Sequence, residues 1–387
     1  MNITGLVAEY NPFHNGHKYH IEKARALSGA SHVAAVISGS FVQRGDVAVC
    51  DKWARAKMAI AGGVDLVVEL PVVYSCQSAE YFAKGAVEIL RQIGCTHMSF
   101  GAETDDLQSF TEVADILKNP TDEYKKHFSD SMKKGMSYPA AQAVALKKMG
   151  YPAVLDTPNN TLAVEYLKAK PSDIIPIAIK RHGSQHDGIG SASFVRRLIA
   201  SGEDISAYVP QSTVDILNEA ASNGVAPCFV ASLDIAVLAR LRTMSPKQLE
   251  RICDVSEGLE NRIIKAAQSS TSFAELADKI KTKRYTHSRI RRILLNALLG
   301  TTKGMEHLPP QYIRVLAMND GGREILKAAK KTAQIPIITK AADAKENDML
   351  TLDFASTDIF SLTFPAQERR TGMYDMKTSP NHLKTNG

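Results

Sequence analysis

The stretch Ile3-Thr4-Gly5-Leu6-Val7-Ala8-Glu9-Tyr10-Asn11-Pro12-Phe13-His14-Asn15-Gly16-His17 decides the fold. Its first part is the apolar run of a buried strand, and from Lys18 to Ala26 the pattern turns helical. Two imidazoles and a glycine therefore sit where a strand hands over to a helix N-terminus. There, unpaired backbone N–H groups and the helix dipole favour a phosphate. His14 and His17 are three apart, so a helical start can turn both rings to one side. Gly16 lets the backbone approach a ligand without a Cβ in the way, and Pro12 fixes the turn out of the strand. Alone, His-x-Gly-His is a weak signal, because His14, His17 and His20 would equally line a wet helix face. The strand before it, the helix after it and the Asn-Pro-Phe lead-in favour a nucleotide site.

Composition sets the outer limits. A chain of 387 residues is long enough for two domains. A hydrophobic content of 44% with 23% charged residues is that of an ordinary globular protein. No run of roughly 18 apolar residues is present, so no membrane partner is expected. The first strand begins without a signal-peptide pattern. Cys50, Cys76, Cys95, Cys228 and Cys253 form an odd set with no C-x-x-C pair. They fit reduced thiols in a cytoplasm better than disulfides or a zinc site, and no set of metal-ligating residues is read. The net charge of +6 is too mild to establish nucleic-acid binding by itself.

The first half alternates strand patterns (Ile3–Ala8, His32–Ile37, Leu66–Glu69, His97–Phe100, Ile174–Ile179) with helix patterns (His17–Leu27, Lys52–Ala61, Ala79–Ile93, Leu107–Lys118, Leu162–Lys168). Short apolar strands between helices imply an α/β fold with a Rossmann-like parallel sheet covered on both faces. Ligands in such sheets bind beyond the carboxyl ends of the strands, where the His-x-Gly-His turn would lie. A lysine-rich helical insertion is expected at about 105–151. After about Ser206 helices dominate, through Val214–Ala221, Leu233–Arg242, Pro246–Cys253, Leu259–Ala267 and Phe273–Lys279. The expected division is therefore 1–210 for the sheet domain and 211–387 for a mainly helical C-terminal domain, with a mixed stretch after Ile335.

Other candidate site residues follow strand ends. Ser38-Gly39-Ser40-Phe41-Val42-Gln43-Arg44-Gly45-Asp46 suits a tight loop, from which Arg44 is a possible anion contact; a plain solvated turn is the alternative. Gly101, within Phe100-Gly101-Ala102-Glu103, would let a nucleoside lie flat on the backbone, although a simple strand-to-helix turn uses the same glycine. In Asp156-Thr157-Pro158-Asn159-Asn160, Thr157 or Asn159 suits a helix cap, while the paired amides also suit an adenine edge or a phosphate. Lys180-Arg181-His182 ends the fifth strand, and Arg181 fits a phosphate clamp or a surface ion pair. Ser191-Ala192-Ser193-Phe194-Val195-Arg196 opens the next helix with the makings of a second anion cradle. Between Lys279 and Lys303 stand Lys279, Lys281, Lys283, Arg284, Arg289, Arg291, Arg292 and Lys303 with no Asp or Glu. Tyr285 and His287 are interleaved. One-signed charge with an aromatic suits an RNA backbone better than a merely solvated face.

His-x-Gly-His in this setting is similar to the signature of nucleotidyltransferases, which share their fold with class I aminoacyl-tRNA synthetases. Ser191–Arg196 resembles the late phosphate motif of those enzymes, with Ala192 replacing a usual hydroxyl. Gly5–His17, Gly39–Asp46, Ser99–Glu103, Pro158-Asn159-Asn160 and the Arg181 segment together resemble the bacterial tRNA(Met) cytidine acetate ligase family. The first motif is common to the superfamily; its combination with the Arg-Gly-Asp loop and the Pro-Asn-Asn turn is far more specific. The resemblance implies ATP, with magnesium on its phosphates, as the activating substrate. Acetate attacks the α-phosphate to give acetyl-adenylate, and the wobble cytidine of elongator tRNA(Met) takes the acetyl group. It implies His14 and His17 as catalytic residues that stabilise charge. The implied ATP site runs through Val7, Ala8, Glu9, Tyr10, Asn11, Pro12, Phe13, His14, Asn15, Gly16, His17, Lys18, Tyr19 and His20. Gly101 and Asn160 are expected at the nucleoside, and Arg181, Ser193 and Arg196 at the phosphates. Lys283, Arg284, Arg289, Arg291 and Arg292 are the residues expected to meet tRNA. A cofactor-making adenylyltransferase and a catalytically idle nucleotide- or RNA-binding module are the rival readings, and no protein partner is evident.

Overall fold

The computed structural model describes residues 1–151, 154–181, 189–256, 258–345 and 347–383. Its centre is an eight-stranded sheet in the order β10-β8-β5-β2-β1-β6-β7, with β9 beside β8. The strands are β1 (Ile3–Ala8), β2 (His32–Ser38), β5 (Leu66–Leu70), β6 (His97–Ala102), β7 (Ile175–Lys180), β8 (Ile313–Met318), β9 (Ile337–Ile338) and β10 (Asn381–His382). A separate hairpin pairs β3 (Phe41–Val42) with β4 (Asp46–Val47). β1, β2, β5, β6 and β7 are parallel, as their nearly unbroken apolar runs require of strands covered on both faces. Residues Val33 to Ile37 of β2 are wholly buried. Gly5 lies where β1 meets the helix Ala79–Ile93; a Cβ there would come within 2.7 Å of Leu90 Cδ2.

From β1 the chain first builds outward through β2 and β5, then returns to the other side of β1 for β6 and β7. That reversal opens a crevice beyond the carboxyl ends of β1 and β6, the place where such sheets bind ligands. The helix that follows β1, α1, spans Asn15–Ser28 and ends at Gly29 in the left-handed region. The insertion consists of the helices Leu107–Lys118, Asp122–Lys133 and Tyr138–Lys148. The Pro158–Ala169 helix after it is capped by Thr157, whose hydroxyl accepts from Asn160 N–H, a contact worth about 1 kcal/mol.

The five expected parallel strands are present, with ends differing by at most two residues. The division at residue 210, however, does not separate the sheet from the rest. Helices from Asp234–Thr243 to His287–Leu299 do surround a second core, containing Leu238, Ile263, Leu276 and Ile293, which Phe41 and Val42 of the hairpin share, while Gln211–Ser222 packs with the helix Lys52–Ala61. After them the chain returns to the sheet through β8, which is antiparallel to β5, and then through β9 and β10. β8 is a short apolar run broken by Arg314, yet Arg314 is wholly buried. Among the described residues no helix is long and apolar enough to cross a membrane.

Candidate nucleotide site

A cavity of about 420 Å³ opens at the carboxyl ends of β1, β6 and β7 and is bounded by the first turns of two helices. One is α1. Its N-cap is His14, whose Nδ1 accepts from Gly16 N–H at 3.1 Å. His17 Nδ1 in turn accepts from His14 N–H at 3.2 Å. The two imidazoles stack with centroids 3.6 Å apart, and Tyr10 meets His17 edge-on. Because each Nδ1 accepts from the backbone, the proton of each neutral ring resides on Nε2. Burial, reinforced by Arg181 and Arg196, pushes His14 down to about 3. Burial and then the neighbouring charges of His14, Arg181 and His20 hold His17 well below its ordinary value. His20, 3.0 Å from Ser99 Oγ, is lowered to about 4 by burial and Arg181. The site thus presents neutral N–H donors, with cationic charge left to arginine and lysine.

A pH dependence of stability follows. A histidine lowered in the folded state leaves the unfolded chain binding more protons as pH falls below about 6.5. Stability is therefore kept above that pH and lost progressively toward the folded values. Urea unfolding should show a midpoint that falls from pH 6.5 to 4. His20→Gln should flatten the slope, recovering up to about 3 kcal/mol at pH 4. An unchanged slope in that variant would remove His20 from the account.

The second helix, Ala192–Ser201, is capped by Ser191, which accepts from Phe194 N–H at 3.2 Å. Ser191, Ala192 and Ser193 line the cavity, as do Arg44, Lys180 and Arg181. Arg181 Nε is 3.9 Å from Glu103 Oε1 and a third of its side chain is exposed. Two helix N-termini and these cations face one volume, an arrangement suited to a polyanion. Glu9 is the one acidic side chain in the wall among the described residues, and its Oε1 accepts from Gln43 N–H at 2.9 Å. Val7, Ala8, Tyr10, Asn11, Asn15, Gly16, Tyr19, His20 and Gly101 also line the cavity. No group of three His, Cys, Asp or Glu side chains among the described residues could hold a metal ion. All five cysteines are free and buried.

A family model described as HIGH Nucleotidyl Transferase matches residues 1–375. A tRNA(Met) cytidine acetate ligase from Acetivibrio thermocellus is 40% identical over 94% of this chain and 95% of its own. One from Syntrophomonas wolfei is 38% identical over 98% and 99%. The chain belongs to the tRNA(Met) cytidine acetate ligase family. A crystal structure of Thermotoga maritima TmcAL bound with alpha-thio ATP matches at a TM-score of 0.91 with 35% identity, covering 100% of both chains. Its apo form matches at 0.93 with the same identity and coverage.

Several residues expected at the ATP site of a family member stand behind it. Pro12 and Phe13 are buried, Phe13 at 5.0 Å from the Tyr10 ring, and Lys18 points to solvent. Asn160 is buried, and its Oδ1 accepts from Glu103 N–H at 3.0 Å; of the paired amides it is Asn159 that reaches the wall. Arg196 is likewise off the wall, donating to Asn11 O at 2.7 Å and to Ser193 Oγ at 3.4 Å. It holds the turn rather than lining the cavity. His182 lies outside the described residues.

The arginines of the basic stretch make contacts within the chain. Arg289 donates to Asp254 O and Ser256 Oγ, Arg291 to Gly45 O and Asp46, and Arg292, itself buried, to Asp254. These arginines join distant segments of the chain, and Arg291 and Arg292 are paired with Asp46 and Asp254. Lys283 and Arg284 are exposed.

Sequence reasoning passed over Gln43, Phe82, Tyr166 and Tyr208, all in the wall. Phe82 and Tyr166 share the periodicity of core residues, and nothing in the pattern marks them as lining a cavity. Arg55 was also missed. Wholly buried, it donates to the carbonyls of Glu9, Ser38, Gly39 and Cys50, tying the end of β1 to the end of β2. The signal available was an arginine on the inner face of the helix Lys52–Ala61.

Proposed function

We propose that this cavity is the adenylation site of an ATP-dependent ligase acting on acetate and on the wobble cytidine of elongator tRNA(Met). The observation that carries this reading is the convergence of two helix N-termini, two stacked Nε2–H donors and Arg181 on one cavity. In the first step an acetate oxygen forms a bond to the α-phosphorus of ATP and the bond to the pyrophosphate oxygen breaks. In the second, N4 of the cytidine bonds to the acetyl carbon, AMP leaves, and the amine proton passes to solvent. Phosphoryl chemistry of this kind needs positioning and charge stabilisation more than a covalent nucleophile. His14 and His17 are assigned to donate from Nε2 to the α-phosphate oxygens as charge builds. Arg181 and Ser193 are assigned to the remaining phosphates, with Arg44 as a further anion contact, and Gly101 to the nucleoside.

Magnesium fits as an ion carried in on the ATP phosphates, because Mg²⁺ keeps several waters and takes only one or two carboxylates. Glu9 is the wall carboxylate that would hold it, and the ion would neutralise phosphate charge.

The tRNA surface of this reading moves to the exposed turn bearing Lys281, Lys283 and Arg284. Arg262 supports that turn by donating to the carbonyls of Lys279, Ile280 and Lys281. In this reading residues 1–210 supply ATP chemistry and the helical body after 211 supplies the RNA surface. Lys283→Ala with Arg284→Ala should weaken tRNA binding and reduce the slope of log affinity against log salt by about two. An unchanged slope would place the RNA elsewhere. The five buried free thiols fit a reducing cytoplasm.

The test of the whole is AMP and pyrophosphate formation from ATP and magnesium, with radiolabelled acetate, with and without bulk bacterial tRNA. Acetate-dependent cleavage with label on tRNA is the expected result. Cleavage indifferent to both, but awakened by a phosphorylated metabolite, would overturn the ligase reading.

A further inference from the structure

We propose that Arg291 is a positioning residue for adenylate formation: from the helical body it holds the β3–β4 turn that carries Arg44 into the cavity wall. The turn is Gln43-Arg44-Gly45, closed by Gly45 N–H donating to Val42 O, with Gly45 at φ 72°. A three-residue hairpin loop with a left-handed third residue is a common build, and its geometry favours glycine there. One end of this hairpin is sunk in the helical body, where Phe41 and Val42 belong to the same core as Ile290 and Ile293. The other end faces the nucleotide site. Gln43 N–H donates to Glu9 Oε1, Gln43 Nε2 donates to Gln77 O at 3.0 Å, and Arg44 lines the cavity.

Arg291 closes the remaining side. Its Nε donates to Gly45 O at 2.9 Å, its guanidinium lies 2.8 Å from Asp46 Oδ2, and the Phe273 ring lies beneath it at 4.9 Å. The Arg291 side chain is 17% exposed, so the pair is held in partial burial rather than solvated. The packing is as close as backbone allows: a Cβ on Gly45 would stand 2.5 Å from the backbone nitrogen of Arg292. Helix and turn therefore move as one. A shift of the helical body is transmitted to Arg44 without any residue of the His14–His17 turn being touched.

This inference rests on the adenylation reading, and the experiment separates the two. Acetate-dependent exchange of labelled pyrophosphate into ATP is measured for Arg44→Ala, Arg291→Ala, Gly45→Ala and the Arg44→Ala/Arg291→Ala double variant. Each single variant should lose about 10- to 100-fold in kcat/KM, the cost of a misplaced site. Gly45→Ala removes no charge and should lose activity all the same. The double variant should fall within about threefold of Arg44→Ala alone, since neither loss can be counted twice. Multiplied losses, or wild-type exchange in Arg291→Ala, would overturn the clamp. Should Arg291→Ala fail to fold, Arg291→Lys keeps the charge opposite Asp46 but lacks the second contact to Gly45 O. It should show an intermediate loss that Arg44→Ala again absorbs. A wild-type protein without acetate-dependent exchange would instead count against the ligase reading. The clamp is then read from calorimetric ATP affinity in the same variants, where independent losses overturn it.

Discussion

His17→Ala should lower acetate-dependent adenylate formation by about 100- to 1000-fold, the usual cost of removing one preorganised donor from a developing oxyanion. The side chain does two things. Its Nε2–H is fixed as a donor by the backbone contact at Nδ1, and its ring stacks on His14, fixing the second donor. Neither ring has to be charged. Burial and neighbouring cations keep both neutral through the whole neutral range, so their contribution is hydrogen bonding in place, not titration. ATP affinity should fall by less than about tenfold, because Arg181, Ser193 and the helix N-termini still meet the phosphates in the ground state. The same change removes one cap from α1, worth about 1 kcal/mol. A urea curve recorded beside the kinetics separates that loss from the chemical one. Turnover equal to wild type would dismiss His17 from the chemistry.

Much of this was legible because the signals were local. β1 and β2 are nearly unbroken apolar runs, and α1, Lys52–Ala61 and Ala79–Ile93 each carry amphipathic periodicity with a recognisable start or stop. His14 and His17 are read from four consecutive residues and a strand–helix boundary. What escaped depends on partners far away in sequence. β8 was hidden because Arg314 looks like a solvent-facing charge, yet it finds Thr339 O and Asp375 in the core. The arginines of the basic stretch looked like an RNA face for the same reason: their partners, Gly45, Asp46, Asp254 and Ser256, come from other segments. Asn160 and Arg196 were near the site in sequence, but their hydrogen bonds turned them to support it.

The largest stability effect should come from Lys52, at the opposite end of the same logic. Lys52 is wholly buried, its Nζ 2.8 Å from both Glu69 oxygens and 3.0 Å from Asp375 Oδ1, with Thr357 Oγ1 at 3.1 Å. Arg314 lies 3.6 Å from Asp375, and Asp353 accepts from Tyr312 O–H and from Val72 N–H. Two cations thus face three carboxyl groups. Burial, with the charge of Glu69 adding to it, pushes the Asp353 carboxyl well above its ordinary value. Burial pulls Lys52 down, but Asp375 and Glu69 outweigh it and hold the ammonium above its ordinary value. Lys52→Met leaves Glu69 and Asp375 buried without their common partner. Breaking a buried pair in this way costs about 3–5 kcal/mol. The sign of the pH dependence tests the cause. Carboxyl groups raised in the folded variant bind protons that the unfolded chain releases above about pH 4. The deficit of Lys52→Met relative to wild type should therefore be largest near pH 8 and shrink as pH falls toward 5. A deficit independent of pH would mean lost packing of the lysine stem rather than unbalanced charge. Glu69 also lies under the loop after β2, where a Cβ on Gly39 would clash with its carboxylate. The charge cluster that secures the C-terminal return of the chain to the sheet therefore supports the loop leading to Arg44 as well.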